Sequence, residues 1–280
     1  MVEQYIHIAA REFGLQDLKT ITQNKEKAVV SARSPEFGYV VVKLDSDWMQ
    51  LEQEYRMLEQ CGDIFACPVY AFRKVEIPGT GRQKECFGLL LQKRILPGTT
   101  LRNVSSMEER IRVFCHLFRN IHREDCVGQE YCRWLENNIQ FCQMYHSGTE
   151  IEEMAKRAFY ICVDMYARYP GCLLLHGDLH HDNILLDSDG QYRIIDPKAV
   201  IGPAILDIPR FLLNEVSMAG EDPEGHIHRC IQLISRALGY PEEDLEKLFY
   251  METVLANIWN LEDGLAMDPA QIDLAKRFLA

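Results

Sequence analysis

No stretch of this 280-residue chain approaches the roughly 18 consecutive apolar residues that cross a bilayer, so no membrane-spanning helix is expected. The opening Met1-Val2-Glu3-Gln4 has neither the basic nor the apolar segment of a secretory leader. None of the 10 cysteines forms a Cys-x-x-Cys pair, and Cys115, Cys142 and Cys162 each stand alone in apolar surroundings. That spacing argues against a zinc finger or a disulfide framework. It reads instead as small core residues kept in a reducing, cytoplasmic setting. Positive charge is in deficit, 30 Lys+Arg against 42 Asp+Glu for a net charge of −12, which disfavours a nucleic-acid-binding face. There is no internal repeat and no low-complexity tract.

What is present is an ordinary globular composition, 47% hydrophobic and 26% charged, long enough for one large domain or two modest ones. The charge is uneven: 12 basic and 13 acidic side chains over residues 1–93, 13 and 17 over 94–220, and 5 and 12 over 221–280. The C-terminal excess reads as a solvated helical face, or as a field that draws a cationic ligand.

Helical periodicity over residues 2–13, through Tyr5, Ile8 and Ala9, precedes strands at 18–22, 28–33 and 38–44. The polar turns Gln23-Asn24-Lys25-Glu26-Lys27 and Ser34-Pro35-Glu36 join them. A helix over 47–61 carries Trp48, Leu51, Tyr55 and Leu58 on one stripe, and strands at 69–75 and 86–92 flank the turn Pro78-Gly79-Thr80-Gly81. Past Pro97-Gly98 the pattern turns helical. Ser106-x-x-Glu109 and Thr149-x-x-Glu152 mark two helix starts, the second helix stopping at Tyr169-Pro170-Gly171. Short strands at 184–186 and 192–195 flank Ser188-Asp189-Gly190. Strands first and helices after predict an α+β chain of two lobes, residues 1–95 and 96–280, divided near Leu96-Pro97-Gly98.

The densest polar cluster is His176-Gly177-Asp178-Leu179-His180-His181-Asp182-Asn183, entered and left through apolar strands. Asp178 and Asn183 lie five apart, and Asp196 follows a hairpin in Ile195-Asp196-Pro197-Lys198. This is the arrangement of phosphoryl transfer, with a base Asp, then an Asn and a second Asp on the metal. Such chemistry needs a carboxylate that orients and deprotonates an acceptor hydroxyl, and oxygen ligands that hold Mg²⁺ across the phosphates. It also needs a strand lysine fixed by a helix glutamate. Lys43 ends the Tyr39-Val40-Val41-Val42 strand, and Glu54 or Glu52 on the next helix can hold it. The apolar run 87–91 continues through Gln92-Lys93 into Pro97-Gly98, which fits an interlobe hinge whose backbone meets adenine and makes Gln92 a cofactor-side candidate.

Together with Gly202-Pro203-Ala204 followed by Asp207, these motifs resemble the aminoglycoside phosphotransferase superfamily, nearest to its streptomycin and hydroxyurea phosphotransferase branch. The doubled His180-His181, the Asp196-Pro197-Lys198 in place of Asp-Phe-Gly, and Trp259-Asn260-Leu261-Glu262-Asp263 favour that branch. The likeness runs in order over about residues 10–265, with strong motifs over 172–215. It implies a protein-kinase-like fold, a small antiparallel-sheet lobe followed by a larger helical one. It implies ATP and Mg²⁺ as cofactors, and transfer of the γ-phosphoryl group to a hydroxyl of an aminoglycoside-like small molecule, hence antibiotic resistance. By position it implies Asp178 as base, Asn183 and Asp196 as metal ligands, and Lys43 as phosphate contact. His181, Trp259, Glu262 and Asp263 are substrate-side candidates, the two acids for a cationic acceptor.

Two departures qualify the match. Gln23-Asn24-Lys25-Glu26-Lys27 stands where a G-x-G-x-x-G loop would, and no Ala-Pro-Glu follows Asp196, which points away from a protein substrate. Asp207, before Ile208-Pro209, reads as a helix N-cap that also braces the catalytic loop. His176 reads as a buried scaffold residue and His226-x-His228 as a surface pair. Two alternatives stand beside the kinase. One is a metal-dependent phosphoester hydrolase built on His176, Asp178, His180 and Asp182, which leaves Lys43 and the hinge without a purpose. The other is a non-catalytic nucleotide-binding protein, which must explain why Lys43, Asp178, Asn183 and Asp196 are all intact.

Overall fold

Alternating valines decide the first sheet. Helix α1 (Val2–Glu12) leads into strands β1 (Gln16–Gln23), β2 (Lys27–Ser34) and β3 (Gly38–Asp45), helix α2 (Trp48–Cys61), and strands β4 (Val69–Pro78) and β5 (Lys84–Lys93). The strands form an antiparallel sheet in the order β1-β2-β3-β5-β4. This computed structural model describes residues 2–78, 84–124 and 128–279, so residues 79–81 of the expected Pro78-Gly79-Thr80-Gly81 turn lie outside it.

Side chains alternate along a strand. β3 therefore sends Val40, Val42 and Leu44 to one face and Val41, Lys43 and Asp45 to the other. The first set packs with Tyr5 and Ala9 of α1, Val30 and Leu89, and the Tyr5 ring stacks on Phe87. Each such aliphatic side chain contributes about 1.5–3 kcal/mol on burial. α2 starts at Asp47, whose carboxylate accepts from the Gln50 amide. Its buried stripe runs Leu51, Glu54, Leu58 and Cys61, where the sequence suggested Tyr55. A carboxylate can replace the aromatic on that face because a cation waits for it.

The chain divides into two compact units, Met1–Thr99 with Leu185–Lys198, and Thr100–Ile184 with Ala199–Ala280. A single cut at 95/96 was expected; residues 185–198 instead return to the first unit. They do so because Ile194 makes a parallel bridge to Ala66, with Cys67 N donating to Ile194 O and Ile194 N to Phe65 O, both at 2.9 Å. Asp187 of the hairpin is further held by Lys93 at 2.6 Å and Arg193 at 2.8 Å.

The second unit is mainly helical: α3 (Met107–Ile121), α4 (Cys132–Tyr145), α5 (Glu150–Arg168), α6 (Pro209–Glu215), α7 (Pro223–Leu238), α8 (Glu242–Glu262) and α9 (Pro269–Arg277). α8 is buried on nearly every side from Leu245 to Ile258, with Leu245, Phe249, Met251, Val254, Leu255 and Ile258 fully buried, so it forms the core on which α4, α5, α6, α7 and α9 pack. An antiparallel sheet of Arg123–Glu124, Leu173–Leu175 and Val200–Gly202 completes the unit. The two capping boxes form only by halves. Ser106 Oγ accepts from the Glu109 amide, but Glu109 turns to Arg112. Glu152 reaches back to the Gly148 amide, past Thr149, whose hydroxyl donates to His146 O. The α+β class read from the sequence is the one found, a sheet-bearing unit and a mainly helical one.

Candidate active site

In the first unit, strand register assembles the site. Pairing sets Lys27 opposite Asp45, Val29 opposite Lys43 and Val41 opposite Gln92. Directly opposed residues share a sheet face. One face thus runs from charged (Lys27, Asp45, Lys43) to apolar (Val29, Val41) and ends at Gln92. Two cavities of about 390 Å³ each open on it. One is lined by Lys27, Lys43, Asp45, Glu54, Asp196 and Lys198, the other by Ile21, Val41, Gln92, Ile95, Leu185 and Pro97, and they share Val29, Lys43 and Ile195.

Lys43 Nζ lies 2.6 Å from Glu54 Oε1 and 2.7 Å from Asp196 Oδ1. Burial works to lower the Lys43 pKa, but the two carboxylates outweigh it and raise the pKa above the ordinary lysine value, so Lys43 stays an ammonium. Glu52 is exposed, which leaves Glu54 as the residue that holds the lysine. Asp196 sits at φ +60°, a left-handed conformation that costs an L-residue about 1–2 kcal/mol. Its contact with Lys43 offsets that cost. Gln92 is 4% exposed, and its side-chain oxygen is buried with no hydrogen-bond partner among the described residues. An unpaired buried acceptor at the wall of an apolar cavity fits a ligand that brings an amino group, as adenine does.

In the second unit, the strand Leu173–Leu175 delivers the polar loop, and its anchors come from distant elements. Asp207 accepts from His176 N at 2.8 Å and Gly177 N at 2.7 Å and contacts His122 Nε2 at 2.9 Å. It braces the loop but does not cap α6, whose first turn begins after Ile208 with no side-chain cap. Gly177 turns the chain at φ +74°, open to glycine and strained for other residues. At the far end Arg102 clamps Asp182 through Nε at 2.8 Å and Nη2 at 2.6 Å. Asn183 donates from Nδ2 to Asp178 O at 3.0 Å, which leaves its side-chain oxygen as the atom to offer a cation. His176 is fully buried as expected, and its Nδ1 accepts from the Asp178 amide.

Around Asp178 stands a set of residues of which the sequence singled out only Trp259. Arg210 Nε is 3.3 Å from Asp178 Oδ1 and 2.9 Å from Glu252 Oε1. Neither that nitrogen nor that glutamate oxygen is aligned for a hydrogen bond, so these contacts are ion pairs by proximity. Tyr131 Oη donates to the other Glu252 oxygen at 2.7 Å, and the guanidinium lies over Trp259, itself edge-on to Trp134. Besides Trp259, the one signal in sequence was Glu252, the lone charge in the run 248–261. Burial, with His176 and the Arg210 guanidinium nearby, pushes His180 down to about 4 despite the Asp178 carboxylate. His180 is therefore neutral at physiological pH, and its 3.6 Å approach to Asp178 is not a salt bridge.

Several expectations need correction. His181 does not line a substrate site: it is fully buried, stacked on Phe211, with Nε2 on Glu215 at 2.7 Å. His226 is not at the surface, since its Nε2 also meets Glu215, at 2.8 Å. His176, Asp178, His180 and Asp182 do not converge as a metal cluster. Among the described residues the group with metal-ligand spacing is Glu215, His226 and Cys230, within 4.8 Å. There Arg110 already donates to both Glu215 oxygens, at 2.7 and 2.6 Å, and a cation would have to displace a guanidinium. Trp259 is half-buried, and Glu262 and Asp263 are exposed at the end of α8.

A family model described as aminoglycoside/hydroxyurea antibiotic resistance kinase matches residues 80–264. The chain is 30% identical over 111 residues to streptomycin 3''-kinase of Klebsiella pneumoniae and 29% identical over 110 residues to streptomycin 6-kinase of Streptomyces glaucescens. Each match covers 38% of this chain, and 42% and 36% of those two kinases respectively. In three dimensions it is similar to a thermostable aminoglycoside phosphotransferase APH(4)-Ia crystallised with ADP and hygromycin B, with a TM-score of 0.63 at 13% identity over 99% of this chain and 96% of that one. That likeness is one of fold.

Proposed function

Because the chain belongs to the aminoglycoside/hydroxyurea antibiotic resistance kinases, we propose that it transfers the γ-phosphoryl group of ATP to a hydroxyl of a small acceptor. The observation that carries this reading is the Lys43 ammonium held between Glu54 and Asp196, where the lysine-lined cavity meets the apolar one. The apolar cavity takes the base, with the unpaired Gln92 oxygen accepting from its amino group. The lysine-lined cavity takes the phosphates.

Asp196 and the side-chain oxygen of Asn183 are hard donors of the kind Mg²⁺ prefers. By likeness to the family's motif, Asp196 of the first unit and Asn183 of the second would supply ligands to Mg²⁺, which would neutralise phosphate charge. Asp178 orients the acceptor hydroxyl and takes its proton, with Arg210 restraining the carboxylate. The acceptor class is streptomycin-type. Glu252 and Trp259, at i and i+7, lie on one stripe of α8, and Asp263 caps its end. They offer an aromatic face beside Arg210 and, farther out with Glu262, negative charge for cationic groups.

The test is acceptor-dependent ADP release by the purified protein with streptomycin, other aminoglycosides, hydroxyurea, amino alcohols, sugars and nucleosides. One acceptor should gain a phosphoryl group by mass. Release that never rises above the acceptor-free background across the panel counts against the reading. Asp196→Ala should weaken nucleotide binding on the order of tenfold or more with Mg²⁺ present, and far less when the ion is chelated. Affinities equal to wild type under both conditions would remove Asp196 from the metal site.

A further inference from the structure

The turn between β1 and β2 stands where a glycine-rich loop would offer backbone amides to phosphate, and here the amides of Asn24, Glu26 and Lys27 are already taken. Asn24 Oδ1 accepts from both Glu26 N and Lys27 N at 2.8 Å, and Asn24 N donates to Lys27 O at 2.9 Å. The turn is further pinned by Ser46 N, which donates to Glu26 O at 3.0 Å. A loop closed on itself in this way cannot wrap an anion with its main chain. Side chains must do so.

Lys27 is placed for that task. It opens β2 on the same sheet face as Lys43, lines the same cavity, and has its ammonium 3.0 Å from Asp45, the residue opposite it in register. The pair lies along the cavity wall with the ammonium still accessible, the lysine side chain being 56% exposed and its aspartate 11%. Lys198 lines the cavity as well. Lys27, Lys43 and Lys198 thus face Asp45, Glu54 and Asp196 across one chamber. Lys43 is committed to two carboxylates, whereas Lys27 has one, and an ammonium carries three donors.

We propose that Lys27 binds the terminal phosphates of the nucleotide and replaces the main-chain grip of a glycine-rich loop. This assignment rests on the ATP-dependent reading above. It also accounts for a turn that keeps Lys27 where a flexible loop would have glycine: the cation works only if the strand start is rigid.

The experiment measures affinity for ATP, ADP and AMP in Lys27→Met, Lys27→Arg and Asp45→Asn beside wild type, with circular dichroism to check folding. Losing one charge-assisted contact to phosphate should weaken ATP binding in Lys27→Met by about tenfold or more. ADP should be affected less and AMP not at all, and Lys27→Arg should restore ATP binding. Asp45→Asn breaks the same ion pair yet keeps the lysine, so its ATP affinity should stay far closer to wild type. An unchanged ATP affinity in Lys27→Met, an equal loss for AMP, or an equal loss in Asp45→Asn each overturns the assignment. A wild-type protein that binds no nucleotide overturns the kinase reading and this assignment together, whereas the other three outcomes leave the kinase reading standing.

Discussion

Asp178→Ala is expected to lower turnover by about 10²–10⁴-fold, the range that a positioned general base supplies, while Mg-ATP binds as in wild type. The separation follows from where the contacts lie. The nucleotide-side contacts of Lys43, Glu54 and Asp196 belong to Met1–Thr99 and Leu185–Lys198, and Asp178 belongs to the other unit. Its own neighbours are Arg210, His180 and, through the main chain, Asn183. Removing the carboxylate also leaves Arg210 with Glu252 as its remaining acidic contact, so the acceptor KM can rise too. The diagnostic is kcat, measured with saturating acceptor, against a nucleotide Kd measured without it. Undiminished turnover would exclude Asp178 as base.

The largest stability effect is expected at Glu215, far from any reacting atom. Its side chain is fully buried and accepts four contacts, two from the Arg110 fork and one each from His181 and His226. These contacts hold the carboxyl well below the ordinary range although burial alone would raise it. Glu215→Ala strands the Arg110 guanidinium, 3% exposed, without its counter-charge. Breaking a buried pair from one side costs about 3–5 kcal/mol, whereas replacing both partners with apolar residues is often nearly neutral. Chemical denaturation should therefore show Glu215→Ala and Arg110→Met each less stable than the Arg110→Met, Glu215→Met double variant. A double variant as unstable as the sum of the singles would mean the pair is not the unit. The pH dependence has a definite sign. A carboxyl whose folded pKa is depressed contributes stability above its unfolded value, about 4.3, and loses it as pH falls toward the folded value. Removing Glu215 should flatten that acid limb.

How far the sequence reached depended on the range of the interaction. Periods of two and 3.6 residues are local, so α1, α2 and β1 to β5 were legible within a few residues of their ends. The Lys43 and Glu54 partnership was legible as a pattern, since motif spacing demanded a lysine on β3 and an acid on the next helix. Choosing Glu54 over Glu52 needed the helix phase, and the apparent stripe through Tyr55 did not decide between them. The Glu215 node was not legible, because its partners Arg110 and His181 lie 105 and 34 residues away and no repeat or spacing links them. His181 drew attention as a substrate-side residue because histidine looks chemical in sequence, whereas here it is a buried post of the fold. The return of residues 185–198 to the first unit depends on the Ala66 and Ile194 bridge, which leaves no compositional trace.

β3 serves two clients with one reading frame. Its even-numbered side chains from Val40 to Leu44 fill the packing against Tyr5, and its odd-numbered ones from Val41 to Asp45 furnish the chamber that Lys43 dominates. A register slip of one residue exchanges the two sets completely. It would drive an ammonium and a carboxylate into the hydrocarbon around Tyr5 and line the chamber with valine and leucine. Insertion or deletion within 39–45 thus has no graded outcome: the strand cannot lose its chemistry and keep its core.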